Sequence, residues 1–145
     1  FALIHVCLLM MLQVGAYAQL LRSPQYLGIV LMGFFLSRSL GAYAVLKWPC
    51  AKKEGLAATF SMNGESRIVA KVLLLYSLLG SGWILWIQPL IGAGLLVLLA
   101  GFYWFFRKMI LKQFGGITGD LAGFCIQTIE MICLLYGAVL GGMGI

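Results

Sequence analysis

Residues 115–120 read Gly-Gly-Ile-Thr-Gly-Asp, a glycine-rich segment that ends in an acid directly before a long apolar run. Three cations lie just upstream, Arg107, Lys108 and Lys112, and Glu130 follows inside the apolar run. A carboxylate at membrane depth is unfavourable, so one that is present usually faces a bundle interior or a cavity and has a function there. The pattern indicates a site for phosphates and a metal at a membrane boundary.

Asp120 is expected at or near the N-terminus of a helix, where the helix dipole stabilises an anion. The free N–H groups of that helix end can also bind a phosphate if Gly115, Gly116 and Gly119 permit close approach. A carboxylate and a phosphate share one helix end when a cation bridges them, which favours Mg²⁺, an ion that takes one or two carboxylates plus substrate phosphates. The alternative is that Asp120 only caps the helix and that Glu130 hydrogen-bonds a neighbouring helix.

A polar stripe is predicted to run from this acid into the apolar segment. A helix turns about 100° per residue, which places Gly123, Gln127 and Glu130 in one broad stripe that starts at Asp120. Arg38 is another charge inside an apolar run, and a buried guanidinium needs a partner. Two alternatives follow for it: an ion pair with one of the two acids, or a phosphate contact, which suits the planar guanidinium.

The composition defines the elements that must position these residues. The chain is 63% hydrophobic and only 10% charged. A soluble domain of 145 residues could not bury that much apolar surface. Single apolar runs in lipid must satisfy their own backbone groups and are therefore helical. We expect an all-α, polytopic integral membrane protein, a single domain over residues 1–145 with about five transmembrane helices. The predicted spans are residues 1–21, 26–46, 68–87, 90–106 and 121–145.

The distribution of charge predicts the orientation. Eight of the ten basic residues lie in or beside the loops that follow the second and fourth spans. The positive-inside rule places both loops in the cytoplasm. The net charge of +6 does not indicate nucleic-acid binding, because no soluble basic domain carries it. Gly137 and Gly141 indicate close helix contacts. Four tryptophans near span ends are expected to act as interfacial anchors: Trp48, Trp83, Trp86 and Trp104.

Three motifs, in this order and spacing, resemble those of the cobalamin (5′-phosphate) synthase family, the adenosylcobinamide-GDP ribazoletransferases. They are Ser37-Arg38, Cys-Ala-Lys-Lys-Glu-Gly-Leu at residues 50–56, and residues 115–120. The resemblance covers essentially the whole chain and the C-terminal part of the family. Lys52 stands where the family usually has arginine, and Gln127 stands where it often has an acid. The family's aspartate-rich stretch would precede residue 1, so residues 1–145 alone are expected to lack the main metal site and to be inactive.

The resemblance implies a magnesium-dependent transferase of a bacterial or archaeal cytoplasmic (inner) membrane, late in cobalamin biosynthesis. It would join adenosylcobinamide-GDP to α-ribazole or its 5′-phosphate and release GMP. Asp120 and Glu130 would be catalytic, and Asp120 would also bind Mg²⁺. The phosphate-binding residues would be Ser37, Arg38, Lys52, Lys53, Gly115, Gly116, Thr118 and Gly119.

Two other classes of function remain open on the residues alone. One is a related membrane phosphotransferase with another substrate. The other is a non-enzymatic transporter or scaffold subunit, which would need a polar path across the bilayer. The third and fourth spans hold few polar side chains, which argues against that path. The lipid bilayer is the expected environment, and formation of a homo-oligomer is left open.

Overall fold

The computed structural model describes residues 2–51 and 66–143, and this part of the chain is helical apart from short connections. A 3₁₀ turn at Pro24–Tyr26 joins the first two helices. The five α-helices are α1 Ala2–Arg22, α2 Leu27–Lys47, α3 Ser66–Ile87, α4 Pro89–Gln113 and α5 Gly119–Met143.

Four of these segments are long and apolar enough to cross a membrane: Pro24–Lys47, Arg67–Ile87, Pro89–Gln113 and Gly119–Met143. Cys7–Arg22, within α1, is a shorter apolar helix. The prediction of an all-α, polytopic membrane protein with about five helices is thus confirmed for the part of the chain that the structure describes.

Helix α4 is longer than the predicted fourth span. The apolar run stops near Phe106, but α4 continues through Arg107 and Lys108 to Gln113. Arginine and lysine are good helix formers, and cations near a helix C-terminus are stabilised by the dipole. The two charges therefore lie within the helix and not at its end.

Helix α2 lies at the centre and packs against α3 and α5, while α1 and α4 pack against α5. The small residues predicted to permit close packing do so. A Cβ atom on Gly137 would come within 2.6 Å of Val30, and one on Gly141 within 2.7 Å of Ser23. Both glycines thus allow the end of α5 to approach the connection between α1 and α2.

Hydrogen bonds between helices also hold the bundle together. The hydroxyl of Tyr136 donates to the carbonyl oxygen of Ile91 at 2.9 Å, which links α5 to α4. Tyr103 donates to the carbonyl oxygen of Leu40 at 3.1 Å, which links α4 to α2. Such bonds satisfy polar groups that would otherwise face lipid.

Trp48 is not the lipid-facing anchor that its place near a span end predicts. Only 5% of it is exposed. Its ring lies 4.8 Å from that of Tyr103 and 6.4 Å from that of Phe106. Burial against α4 thus fixes the backbone that leaves α2. Trp83, Trp86 and Trp104 are exposed, as interfacial anchors are.

Candidate active site

Two segments that are distant in sequence meet at one end of the bundle. The backbone N–H of Ile117 donates to the carbonyl oxygen of Pro49 at 2.7 Å, and that of Ala51 donates to the carbonyl oxygen of Ile117 at 3.1 Å. Cys50 and Ile117 thereby form a parallel β-bridge. The glycine-rich segment is therefore held by the chain that follows α2, and the first two residues of the second motif, Cys50 and Ala51, lie beside it.

Gly116 makes this approach possible. A Cβ atom at this position would collide with the carbonyl oxygen of Pro49 and would come within 2.6 Å of the backbone nitrogen of Ala51. Backbone atoms cannot move aside as a flexible side chain can, so the contact requires glycine. The role of Gly116 in the structure is to contact protein backbone, whereas the sequence predicted an approach to phosphate.

The other two glycines of the segment remain open to a ligand. Gly115 has a φ angle of 69°, in the left-handed region that favours glycine. Among the described residues, and apart from the neighbouring backbone, no atom lies within 4 Å of a Cβ built on Gly115 or on Gly119. The loop thus turns sharply at Gly115 and leaves free space at both positions.

Thr118, and not Asp120, caps helix α5. The Thr118 hydroxyl accepts a hydrogen bond from the N–H of Leu121 at 3.3 Å, and its carbonyl oxygen accepts one from Ala122 at 3.0 Å. Asp120 lies in the first turn of α5 and is exposed. No hydrogen bond or ion pair holds its carboxylate within the described residues. Asp120 is therefore stabilised by the helix dipole and free to bind a ligand.

The second charged cluster lies deeper in the bundle, between α2 and α5. Nη2 of Arg38 lies 2.9 Å from Oε1 of Glu130. The Ser37 hydroxyl lies 3.0 Å from the same Oε1 and 2.7 Å from the carbonyl oxygen of Phe34, so its single proton is shared between two acceptors. The first alternative for Arg38, an ion pair with an acid of the bundle, is therefore the one that the structure shows.

The two partners of this ion pair differ in exposure. The Arg38 side chain is 70% exposed, whereas that of Glu130 is 17% exposed. Glu130 is thus shielded by α2 and Ser37, and Arg38 covers it from outside. A guanidinium has five N–H donors, so the contact with Glu130 leaves donors for another acceptor.

The predicted polar stripe on α5 is present. Asp120, Gly123 and Gln127 are exposed, and Glu130 is partly buried. The stripe borders an open cavity of about 350 Å³ between α1 and α5, lined by Leu9, Gly123, Phe124, Gln127, Thr128 and Met131. Asp120 and Glu130 are ten residues apart on one helix, a rise of about 15 Å, so the structure does not bring the two acids together.

The described residues contain no group of three or more His, Cys, Asp or Glu side chains that could hold a metal. Among the described residues, Asp120 alone offers a carboxylate beside the glycine-rich loop, since Glu130 is distant and paired. This fits Mg²⁺ only where substrate phosphates and further ligands complete its octahedral shell. Lys52 and Lys53, predicted to bind phosphate, lie outside the described residues.

The sequence did not predict the aromatic cluster that supports the loops. Trp48 packs on Tyr103 and Phe106, and Phe106 stacks on Phe124 at 5.9 Å between ring centroids. A signal for it exists, because Phe102, Tyr103 and Phe106 recur on one side of α4 at helical spacing. The cluster joins α2, α4 and α5 directly beneath the bridged segments.

These features define an integral membrane protein whose apolar helices hold a polar, loop-built site at one end. Within that class, the chain belongs to the cobalamin-5-phosphate synthase family, whose model matches residues 1–139. The resemblance drawn from the three motifs is thus confirmed. No solved structure matches the chain.

Curated relatives carry one name, adenosylcobinamide-GDP ribazoletransferase. The chain is similar to that of Lachnoclostridium phytofermentans, 30% identical over 122 residues that cover 80% of this chain and 46% of the relative. It is also similar to that of Pseudomonas syringae pv. tomato, 28% identical over 142 residues that cover 96% of this chain and 55% of the relative. The chain therefore spans about half the length of the curated relatives that it matches.

Proposed function

We propose that the protein is a transferase that joins adenosylcobinamide-GDP to α-ribazole or its 5′-phosphate, with release of GMP. The observation that carries the proposal is the glycine-rich loop, which is fixed by backbone bonds to residues 49–51 and presents Asp120 without a protein partner among the described residues. Family membership and the names of the relatives supply the reaction.

The proposed reaction is a phosphoryl transfer. A hydroxyl oxygen of the ribazole attacks the phosphorus that carries the cobinamide, the bond from this phosphorus to the bridging oxygen breaks, and GMP leaves with that oxygen. The hydroxyl proton passes to a base, and a carboxylate is a suitable acceptor. Catalysis of such a step depends mainly on positioning and on neutralising charge, both of which need a rigid polar site.

Asp120 is the residue that we propose as the Mg²⁺ ligand, together with substrate phosphates. Mg²⁺ supplies charge neutralisation at the phosphoryl oxygens when it is bound. The N–H groups near Gly115 and Gly119 would bind phosphate oxygens, because the backbone there is unobstructed. Lys52 and Lys53, which follow Ala51 in the sequence, would add cations on the same side.

Arg38 and Glu130 have a different proposed role. Glu130 holds Arg38 at membrane depth, and the exposed part of the guanidinium provides hydrogen-bond donors along the open side of α5. The cavity beside Gly123 and Gln127 gives room for a part of the substrate that carries no phosphate. The polar wall would thus extend from the loop to Arg38.

We further propose that both bridged segments face the cytoplasm, at the cytoplasmic membrane. The cations around them support this orientation. Cysteine labelling of intact cells tests it, in a variant without native cysteines. Lys112→Cys should resist an impermeant maleimide, and Gln25→Cys, an exposed position at the opposite end of α2, should react. Rapid labelling at position 112 would reverse the orientation.

Release of GMP tests the reaction directly. The protein is produced from its complete gene, placed in lipid nanodiscs and given adenosylcobinamide-GDP with or without α-ribazole. We expect GMP only when both substrates and Mg²⁺ are present, and we expect chelation to stop its formation. GMP formed at the same rate without ribazole would indicate a hydrolase, and no GMP under any condition would exclude the proposed reaction.

A further inference from the structure

A basic pocket lies apart from the proposed active site, between the end of α2 and the start of α3. It has a volume of about 190 Å³ and is open on one side. Ala70 and Leu74 contribute apolar surface, and four side chains with polar ends complete the lining: Tyr43, Lys47, Arg67 and Lys71. Three of the ten basic residues of the chain thus surround one small space.

These cations have no acidic partner within the part of the chain that the structure describes. The ion pair seen there joins Arg38 to Glu130, and the remaining acid, Asp120, lies on α5. Arg67 and Lys71 are four residues apart on α3, so they share one face of the helix and repel each other. Lys47 approaches the same space from α2 and adds a third positive charge.

The placement of two of these cations also opposes the helix dipole. Arg67 and Lys71 lie near the N-terminus of α3, which has no acid in its first turn. Cations at this end destabilise a helix, whereas Lys47 at the C-terminal end of α2 is favourable. Topology alone requires cations on this side of the membrane but does not require them to converge on a pocket.

We infer that the pocket binds a phosphate monoester or diester anion. An anion between the three cations removes their mutual repulsion and complements the dipole of α3. The planar fork of Arg67 suits two phosphate oxygens, the lysines supply point charges, and the Tyr43 hydroxyl can donate another hydrogen bond. The ligand is either the headgroup of an anionic phospholipid, which lies at this depth, or a free phosphate compound.

The site is independent of the proposed transferase site, because it shares no residue with it. The two are nevertheless close along the chain. Lys47 directly precedes Trp48, and residues 49–51 hold the glycine-rich loop through the β-bridge. Binding in the pocket would therefore stabilise the segment on which the loop depends. Anion binding and thermal stability are both measured without turnover, so failure of this inference and failure of the transferase proposal are distinguishable.

The test compares the whole protein in neutral detergent with the double variant Arg67→Gln/Lys71→Gln. The matched control is Arg22→Gln, which removes a charge of the same kind from an exposed position at the end of α1, outside both proposed sites. Binding of pyrophosphate, and of phosphatidylglycerol in mixed micelles, is measured by calorimetry. We expect the pocket variant to bind its probe at least about tenfold more weakly, and the control to match the wild type.

The two probes separate the sources of the anion. Binding of phosphatidylglycerol that only the pocket variant loses would identify a lipid headgroup, and binding of pyrophosphate in lipid-free detergent that only the pocket variant loses would identify a free phosphate compound. Failure of both probes to bind the wild type, or equal binding to the pocket variant and the control, would overturn the inference.

The temperature of unfolding, measured without any anion, provides a second readout that does not depend on binding of a probe. Because Arg67 and Lys71 repel each other and oppose the helix dipole, we expect the pocket variant to unfold at a higher temperature than the wild type in anion-free detergent. The single variant Lys47→Gln should bind the probe more weakly without that gain, since Lys47 suits its helix end. A pocket variant that is less stable than the control, with unchanged binding by Lys47→Gln, would contradict the proposed site.

Discussion

The two charged regions of this protein are built in opposite ways. At the end of the bundle, backbone hydrogen bonds and the absence of a side chain at Gly116 hold the loop, and the carboxylate of Asp120 has no partner among the described residues. Inside the bundle, the side chains hold each other: Glu130 accepts from both Arg38 and Ser37. A group that is already paired is constrained to its partner, whereas an unpaired exposed acid can bind a ligand.

The two carboxylates are therefore expected to have different roles, Asp120 in the reaction and Glu130 in stabilising the bundle. A carboxylate at the membrane edge is hydrated and stabilised by a helix dipole, so the fold does not depend on a partner for it. A carboxylate at membrane depth requires one. Changes at the loop should therefore affect turnover first, and changes at the ion pair should affect stability first.

Gly116→Ala should have the largest effect on the loop. The new methyl group meets backbone atoms of residues 49–51, so the β-bridge must open and the loop must move. Displacement of this size should lower the rate of GMP release by about 100-fold or more. Gly101→Ala is the matched control, because nothing lies within 4 Å of its added Cβ. Equal activity of the two variants would mean that the bridge does not position the site.

The ion pair can be examined with a double-mutant cycle on stability in detergent. Arg38→Met and Glu130→Gln should each lower the free energy of unfolding, because each leaves a charge or an acceptor without its partner. The double variant should be more stable than the sum of the single effects predicts, by about 1–2 kcal/mol. Strict additivity would show that the contact between Arg38 and Glu130 does not stabilise the protein.

Substitution of Thr118 should have a smaller effect, on stability and not on turnover, because its hydroxyl caps α5. Thr118→Ala removes the acceptor for the N–H of Leu121 and should lower the free energy of unfolding by about 1 kcal/mol. Thr118→Ser keeps the hydroxyl and should have a free energy of unfolding close to that of the wild type. Thermal unfolding of the wild type and the two variants measures this effect. An alanine variant as stable as the wild type would show that the Thr118 hydroxyl does not stabilise the helix end.

The sequence predicted the helices, and it gave an ion pair as one of two alternatives for Arg38, for physical reasons that are local. Apolar runs of spanning length define the helices, and the lack of other acids in the spans directs Arg38 to Glu130 or Asp120. The position of Trp48 could not be predicted in this way. Tryptophan near a span end suits the lipid interface, and only the tertiary contacts of Trp48 with Tyr103 and Phe106 of α4 show that it is buried.

The sequence predicted which residues of the loop belong to the candidate site, but not how the loop is held in place. The glycines and Asp120 were selected as candidate site residues, but the pairing of Ile117 with Pro49 and Ala51 joins positions that are far apart in the chain. Pairing between short extended segments leaves little pattern in the sequence. The capping role of Thr118 was missed for a related reason, because Asp120 and Thr118 are both suitable capping residues and only the geometry distinguishes them.

We propose that Asp120 serves the reaction and not the stability of the fold. The most direct measurement is GMP release and the thermal midpoint of Asp120→Asn, each compared with Glu130→Gln in the protein made from its complete gene. We expect Asp120→Asn to lower the rate by about 100-fold or more while the midpoint stays at the wild-type value. We expect Glu130→Gln to lower the midpoint. Near-normal turnover of Asp120→Asn, or a loss of stability as large as that of Glu130→Gln, would contradict the account.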